Sequence, residues 1–365
     1  MNKIQIKTGK ITEKELVETF GSDAQKKSYE KNGRFIGSYK NSLFKKINKY
    51  CLIKENGRNT YEITEVYKFP LPTCFDKMKK SLYQYIVPLL LTSLINGHDE
   101  NNKIDITIGK WAREIKMVNR NYNLVKYNKE DSSNEFQYPI DTIHDFYNKA
   151  DDMIDWYITN ALDYLKSAGL VIWRDVYRIN VEASSDEINI DKDGNVYTDI
   201  SIKSHQANEE EMEYYSKCVK VADSAAGIHN ASERYYSKKA KRFNEALKEE
   251  LYKRKIKCVY KTYEAYYVDL EKCKFILGMF GELNVESLIK DFNAEFTNMI
   301  VENAGKRFDR NPGNYFFCNG KDDYKLCFEG LCDVTINNDT EYLGNRIKEH
   351  SLTDDYVLKI NGKQT

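Results

Sequence analysis

The residues of this chain that could do chemistry are mainly cationic and amide side chains, gathered in three short stretches. Lys and Arg neutralise nucleic-acid phosphates, while polar side chains on a helix can reach base edges. In the first stretch, a lysine-rich helix precedes two strand-like runs, which suggests contact with DNA. The alternative interpretation is an ordinary solvated lysine face. The candidate DNA-binding residues here are Arg34, Lys40, Lys45, Lys46, Asn48, Lys49 and Arg58.

Two further stretches repeat this chemistry less clearly. The second offers Arg113, Lys116, Arg120 and Asn121, with Lys126 close by, and the third offers Arg234, Lys238, Lys241 and Arg242. The third continues into the basic run 253–257 and a tyrosine-rich segment, Tyr260 to Tyr267, which suits stacking and phosphate contact. The alternative interpretation of the third stretch is structural. Glu245 and Glu249 then neutralise the basic residues of a solvated helix through i,i+4 pairs, and the tyrosines pack in a sheet.

Motifs of catalysis and of metal binding are missing from the sequence. The five His residues are isolated, and no H-E-x-x-H, G-x-S-x-G or GxxxxGK[ST] pattern occurs. Cys318, Cys327 and Cys332 lack a usual zinc spacing, so we predict buried thiols. The segment 191–195 partly matches a calcium loop, and we favour a hairpin turn there. We therefore expect no cofactor, no metal and no enzyme activity, although scattered acids leave a nuclease centre open.

Charge is distributed unevenly along the 365 residues. The chain has 56 Lys/Arg and 56 Asp/Glu, yet residues 1–60 alone hold 14 Lys/Arg against 6 Asp/Glu, a local charge of +8. Such asymmetry suggests a surface that faces a polyanion. The most apolar run, Tyr85–Ile95, has about half the length needed to span a bilayer. With no apolar leader in the first residues, we expect a cytoplasmic protein with reduced thiols and no membrane contact.

The first stretch lies in a predicted order of three helices and a hairpin. Thr12 and Glu15 form a capping box that opens a helix ending at Gly21, and a second helix follows to about Asn32. The apolar spacing of 42–50 predicts a third helix. Strand-like runs at 52–55 and 60–67 then flank a turn at Asn56-Gly57-Arg58.

A second module is predicted over 78–205. An apolar helix over 78–96 comes first, and Thr107 caps a helix followed by a turn at 117–119. A polar segment, 123–139, precedes a long helix over 141–168, and runs 170–173 and 176–181 suggest the next hairpin. The long helix is rich in Asp, which a phosphate groove would repel, so we expect it to contact a protein partner or a second copy of the chain.

The remaining residues, 206–365, are predicted to form a helical domain with a small sheet. Helices are expected at 209–225 and 230–254, a strand at 256–268, and further helices at about 270–279, 284–304 and 321–331.

Residues 110–119, 158–173 and 43–67 resemble winged-helix DNA-binding proteins. Two such modules in tandem are similar to replication initiators and regulators of plasmids and phages in low-GC Gram-positive bacteria. The resemblance implies an α+β, predominantly α fold with domains at 1–70, 78–205 and 206–365. It also implies binding of double-stranded DNA in replication initiation or transcription regulation, with Lys45, Lys46 and Lys49 facing the groove and Arg58 on the wing. The alternative is a protein-binding inhibitor or adaptor acting on a host nucleoprotein complex.

Overall fold

The structure is a computed structural model that describes residues 6–35, 37–97, 103–190, 196–230, 233–236, 239–281, 284–315 and 317–347. The protein is α+β and mostly helical, with two small antiparallel sheets, as the sequence predicted. Within the described residues, no helix combines the length and the apolar character needed to cross a membrane.

The elements of the first half of the chain include the cationic stretches at 34–58 and 113–121. In order they are β1 (Gly9–Thr12), α1 (Glu13–Phe20), α2 (Asp23–Asn32), α3 (Gly37–Ile47), β2 (Cys51–Glu55), β3 (Thr60–Val66), α4 (Phe75–Met78), α5 (Tyr83–Asn96), β4 (Lys103–Ile106), α6 (Ile108–Glu114), α7 (Asn121–Tyr127), α8 (Lys129–Phe136) and α9 (Ile140–Ser167).

The second half begins with two long strands and continues mainly with helices. In order its elements are β5 (Val171–Ile190), β6 (Val196–Gln206), α10 (Glu209–Ala226), α11 (Glu233–Tyr236), α12 (Lys239–Tyr252), β7 (Ile256–Tyr267), α13 (Leu270–Gly278), α14 (Val285–Arg310) and α15 (Lys321–Thr335). Single 3₁₀ turns lie at Pro312–Tyr315 and Leu343–Asn345.

The chain folds into two compact units, each assembled from separate segments. The first unit comprises Met1–Asn96, Asn160–Ile172 and Tyr267–Asn284, and the second comprises Gly97–Thr159, Trp173–Tyr266 and Val285–Thr365. These units differ from the three consecutive domains that we predicted, because local periodicity along the chain does not report which distant segments pack together.

Local signals account for the helices of the first unit. The capping box of Thr12 and Glu15 is present, and Ser22 with Gln25 forms a second one at the start of α2. Gly33 ends α2 in the left-handed conformation that glycine adopts without strain. The core of this region is built from one face of α1 and α3 and from the inner face of a sheet with the order β1-β3-β2: Leu16, Val17, Phe20, Leu43, Ile47, Cys51, Tyr61 and Ile63.

Helix α3 begins five residues earlier and ends three residues earlier than the 42–50 helix that we predicted. Its buried residues Leu43 and Ile47 are four positions apart, so they lie on one face. The chain leaves the helix at Asn48–Tyr50 to enter β2, because Cys51 must face the same core as Ile47. The spacing of apolar residues therefore predicted the buried face of α3 correctly, and the predicted start and end of the helix were wrong.

The hairpin predicted from 170–173 and 176–181 is wrong, since residues 171–190 form one continuous strand, β5. Arg174 and Asp175 interrupt the apolar pattern and so suggested a turn. In the four-stranded sheet of the second unit, with the order β4-β7-β5-β6, they instead face charged partners on β7. Arg174 lies 3.2 Å from Glu264 and Asp175 lies 3.5 Å from Lys261. Cross-strand ion pairs of this kind place charges in mid-strand without a turn.

The helices α7 and α8 cover most of the segment 123–139, which we described from the sequence only as polar. Tyr122, Leu124 and Val125 of α7 are buried. The Tyr122 ring packs edge-on against Tyr147 of α9, with 5.0 Å between the ring centroids. Helix α7 therefore belongs to the core of the second unit. The hairpin turn predicted at 191–195 lies outside the described residues.

Candidate nucleic-acid interface

One face of α3 carries only polar side chains that are open to solvent. Ser38, Asn41 and Lys45 recur at intervals of three and four residues, which places them on one side of α3. Asn48, the first residue after the helix, continues this row, and its N–H still donates to the Phe44 carbonyl at 2.9 Å. We call this set the α3 face. All four are exposed, and none of the four side chains has a hydrogen-bond or ion-pair partner among the described residues. The α3 face therefore presents unused donors and acceptors.

The helices before α3 hold it in place through a few specific contacts. Gln25 of α2 donates from Nε2 to the Ser42 hydroxyl at 2.9 Å and to the Tyr39 carbonyl at 3.2 Å. The backbone N–H of Phe35, in the turn before α3, donates to the buried carboxylate of Glu13 at 2.6 Å. These contacts use the Ser42 hydroxyl and two backbone groups, the Tyr39 carbonyl and the Phe35 N–H, so they hold α3 without bonding to any of the four side chains of the α3 face.

The β2–β3 ribbon ends in a loop at its tip. Asn56 donates its N–H to the Thr60 carbonyl at 2.9 Å, and the four residues 56–59 include Gly57 and Asn59 at positive φ. The loop therefore occupies the four residues that the predicted strands left between them. Arg58 lies at the tip, exposed, and has no partner among the described residues. Arg34, before α3, is likewise exposed and unpaired within that part of the chain.

The other three lysines predicted for this site bind groups of the protein itself. Lys40 lies 2.8 Å from Glu55, and this hydrogen bond is the main reason why its pKa is raised. Lys46 donates to the Phe20 carbonyl at 2.7 Å and so completes the end of α1. Lys49 donates to the Thr73 hydroxyl at 3.0 Å. Lys45 is thus the lysine of α3 whose ammonium group is open to a ligand.

In the second unit, three of the predicted cations line one cavity. Arg113, Lys116 and Arg120 surround a space of about 550 Å³ together with Lys110, which the sequence did not single out. All four are exposed. We call this space the basic cavity. The structure therefore brings together residues that the sequence placed in one stretch, and it arranges them around a concave site.

Asn121, the fourth predicted residue of that stretch, has a structural role instead. It is completely buried, and its amide group donates to the carbonyls of Val334 and Glu341 and accepts from the Leu343 N–H. A side chain with these bonds has nothing left to offer DNA, so we remove it from the candidate residues. Lys126, named beside it, lies 2.7 Å from Asp151 and is also used internally.

The third predicted cluster is divided by the structure. Arg234 forms a two-point ion pair with Asp223, with N–O distances of 2.8 and 2.6 Å, so we remove it from the candidate residues as well. Lys241 and Arg242 are exposed on α12 and stay candidates, while Lys238 lies outside the described residues.

The basic run that follows this helix is largely neutralised. Lys253 and Arg254 pair with Glu250 and Glu210, and Lys257 pairs with Glu182. Tyr263 is buried and donates its hydroxyl to Asp155 at 2.7 Å. The interpretation of 253–267 as a stacking and phosphate-binding surface therefore loses most of its basis.

The acidic character of α9 is partly used inside the second unit. Asp145 pairs with Arg307 at 3.3 Å, Asp151 accepts from the Tyr122 hydroxyl at 2.9 Å, and Asp155 accepts from Tyr263. These three Asp residues thus stabilise the fold, which reduces the negative charge that α9 can offer to a partner.

The cysteines are free thiols in the structure. Cys327 and Cys332 are buried, as predicted, and burial raises the pKa of Cys327 to about 12. Cys318 is half-buried, with its sulfur 3.2 Å from the Thr142 hydroxyl. No three metal-binding side chains converge within the described ranges. The segment 191–195, considered as a calcium loop, is outside those ranges.

Two residues of the α3 face, Ser38 and Asn41, were missed by the sequence analysis. We started the helix at 42, so these positions were assigned to the preceding turn. A helix that begins one turn earlier places these two residues on the same side as Lys45 and Asn48. The sequence analysis missed them because it placed the start of the helix too late.

Comparison of the chain with protein-family models, with curated protein sequences and with solved structures gives no match.

Proposed function

We propose that this protein binds double-stranded DNA through the α3 face and the β2–β3 ribbon, as a winged-helix module does. The observation that carries the proposal is the combination of four unpartnered polar side chains on one helix face with an exposed Arg58 at the tip of the adjoining ribbon. The setting that we propose, replication initiation or transcription regulation for a mobile genetic element, rests on the resemblance of the sequence alone.

The dimensions and side chains of the site support this proposal. An α-helix with its side chains is about 10–12 Å wide, which fits the major groove of B-DNA at about 12 Å. Asn41 and Asn48 have the donor and acceptor pair that recognises adenine, and Lys45 can donate to guanine or phosphate. Arg34 and Arg58 add charges suited to the backbone phosphates. In the proposed complex, the helix therefore contacts the base edges, and the arginines before the helix and at the ribbon tip contact the phosphates.

We expect the double substitution Lys45→Glu and Arg58→Glu to weaken DNA binding by about 10- to 100-fold at moderate salt, because each removes a phosphate contact and adds repulsion. The slope of log affinity against log salt should fall by about two for the same reason. Fluorescence anisotropy with a mixed-sequence duplex at several salt concentrations measures both quantities.

The matched control for this experiment is Lys14→Glu, a charge reversal on α1, where Lys14 is 72% exposed and pairs with Glu18 at 3.8 Å. Its effect on affinity should be small. Equal losses in the control and in the double variant would exclude the α3 face and the ribbon tip as the contact.

Replacing Asn41 with alanine should reduce discrimination between DNA sequences, with a loss of about 1–3 kcal/mol at a specific site and little change on unrelated DNA. The specific site comes from sequencing the DNA that copurifies with the protein. A competition experiment between that site and a random duplex measures the ratio of the two affinities. Thr19, an exposed polar residue on α1, provides the control as Thr19→Ala. A variant that loses affinity equally for both DNAs would make Asn41 a general contact rather than a specific one.

A second candidate function is a protein-binding adaptor that acts on a nucleoprotein complex. Trp156 on α9 favours it, since this large side chain is 55% exposed and tryptophan is enriched at the centres of protein interfaces. The salt titration separates the two functions. Binding to phosphates weakens steeply as salt rises, whereas a partner held by apolar contacts is far less affected.

A further inference from the structure

The basic cavity of the second unit is a concave site with an unbalanced charge. Its four cations, Lys110, Arg113, Lys116 and Arg120, face one acidic lining residue, Glu114, which leaves three positive charges. None of the four cations lies within ion-pair distance of a carboxylate among the described residues. Elsewhere in the same unit, Lys103, Arg174 and Arg178 are all paired with acids. Cations gathered without counter-charges repel one another, and an anion that enters the cavity relieves this repulsion.

The backbone that carries these cations is held firmly. Lys116 has a φ of 60°, and its carbonyl accepts a hydrogen bond from Asn338 at 3.1 Å. Asn119 donates its N–H to the Thr335 carbonyl at 2.9 Å and its side-chain amide to the Val334 carbonyl at 3.0 Å. The Arg120 guanidinium stacks 4.7 Å from the centre of the Tyr342 ring. The turn after α6 is thereby fixed to the end of α15, and a ligand would meet a prearranged set of donors.

The lining of the cavity indicates the kind of ligand. Val118 is the one apolar residue among the nine that line it, so a ligand held by hydrophobic contact does not fit. Two arginines offer planar pairs of N–H donors that match phosphate oxygens, and two lysines add point charges. A volume of about 550 Å³ suits a small molecule rather than a single ion.

We propose that the basic cavity binds an oligophosphate, a chain of linked phosphate groups carrying three or more negative charges. Such a ligand matches both the net charge and the mixture of arginine and lysine donors. The phosphates could come from a free oligophosphate or from consecutive phosphates of a nucleic-acid strand. The proposal rests on the second unit alone, so it stands or falls independently of DNA binding by the α3 face.

Inorganic tripolyphosphate is the direct probe, measured by isothermal titration calorimetry on the full chain. We expect saturable binding that weakens as salt rises, and a loss of at least about tenfold in affinity for the double variant Lys110→Gln and Arg113→Gln. Both residues are exposed on α6, so their substitution should leave the fold intact, which circular dichroism checks. Arg120 and Lys116 are less suitable. Arg120 also stacks on the Tyr342 ring, and Lys116 has a positive φ, a backbone conformation whose cost depends on the residue type.

The matched control is Lys248→Gln with Arg310→Gln, which removes one lysine and one arginine that are exposed elsewhere in the second unit. It should bind tripolyphosphate as the wild type does. A parallel titration with a short duplex identifies the source of the phosphates. A cavity variant that loses tripolyphosphate alone indicates a free ligand, and one that loses both indicates a nucleic-acid strand. Absence of wild-type binding at ~1 mM tripolyphosphate, or equal affinities of the cavity and control variants, would overturn the proposal.

Discussion

Replacing Asn121 with leucine should lower the free energy of unfolding of the second unit by about 3 kcal/mol or more. The side chain is completely buried, and its amide bonds to the Glu341 carbonyl at 2.8 Å and to the Leu343 N–H at 3.0 Å. Leucine has nearly the same size but no polar atoms. Both backbone groups would therefore be left buried without these bonds, at a cost of about 1–3 kcal/mol each.

Chemical denaturation followed by circular dichroism measures this loss, and hydrogen exchange at the Leu343 amide locates it. Asn123→Leu is the matched control, since Asn123 lies two residues further along α7 and is half-buried. The control should change stability by less than about 1 kcal/mol. If Asn121→Leu and Asn123→Leu unfold at the same denaturant concentration, the bonds of Asn121 do not stabilise the protein.

Replacing Lys129 with methionine should stabilise the protein near neutral pH, by an amount on the order of 3 kcal/mol. Lys129 is only 7% exposed, its ammonium nitrogen lies 3.1 Å from Nδ1 of His144, and it lies 5.7 Å from the centre of the Tyr147 ring. Burial is the main cause that lowers its pKa from 10.5 to about 7, with the nearby charge of Lys126 adding to the shift. The folded protein therefore disfavours the charged form of Lys129, and burying that charge lowers the stability of the wild type near neutral pH.

The pH dependence of this effect follows from the two pKa values. Between pH 7 and pH 10.5 the unfolded chain binds a proton at Lys129 that the folded protein does not, so the stability of the wild type rises with pH over that interval. Below about pH 7 the cost of burying the lysine is present in full. The advantage of Lys129→Met should therefore be greatest at pH 7 and below, and it should shrink as the pH approaches 10.

Thermal unfolding at pH 6, 7, 8, 9 and about 10 tests this dependence. Lys248→Met, at an exposed position on α12, is the control. It shows how the loss of a surface lysine changes the dependence of stability on pH. A stability difference between Lys129→Met and the wild type that stays constant from pH 6 to pH 10 would contradict the expected titration.

Partners, more than residue types, decide which cations of this protein are available to a ligand. The chain has equal numbers of basic and acidic residues. Arg234 and Lys40 each meet a carboxylate, while Lys45 and Arg113 meet none in the described part of the chain. Exposed ion pairs contribute little to stability, but they reduce the charge that a surface can offer to a polyanion. The α3 face and the basic cavity stand out because their cations lack such partners.

Local features of the fold could be predicted from the order of residues alone. The start of α1 at the Thr12 capping box, the end of α2 near Asn32 and the ribbon on either side of residues 56–59 were predicted, and the structure confirms these. These features depend on residues within a few positions of one another. Capping side chains and a glycine at positive φ act on their own turn of the chain, so their effect is visible in the sequence.

Long-range packing determines which side chains are free to act and which hold the fold together, and no local pattern predicted it. Asn121 bonds to residues more than 200 positions away, and the ion-pair partner of Arg178 on β5 is Asp105 on β4. Both units are built from segments that are far apart in the chain. Hydrogen bonds and ion pairs require their atoms within about 3–4 Å, and one sequence carries no direct record of such distances. The basic cavity exists for the same reason, because the end of α15 returns to close the turn after α6.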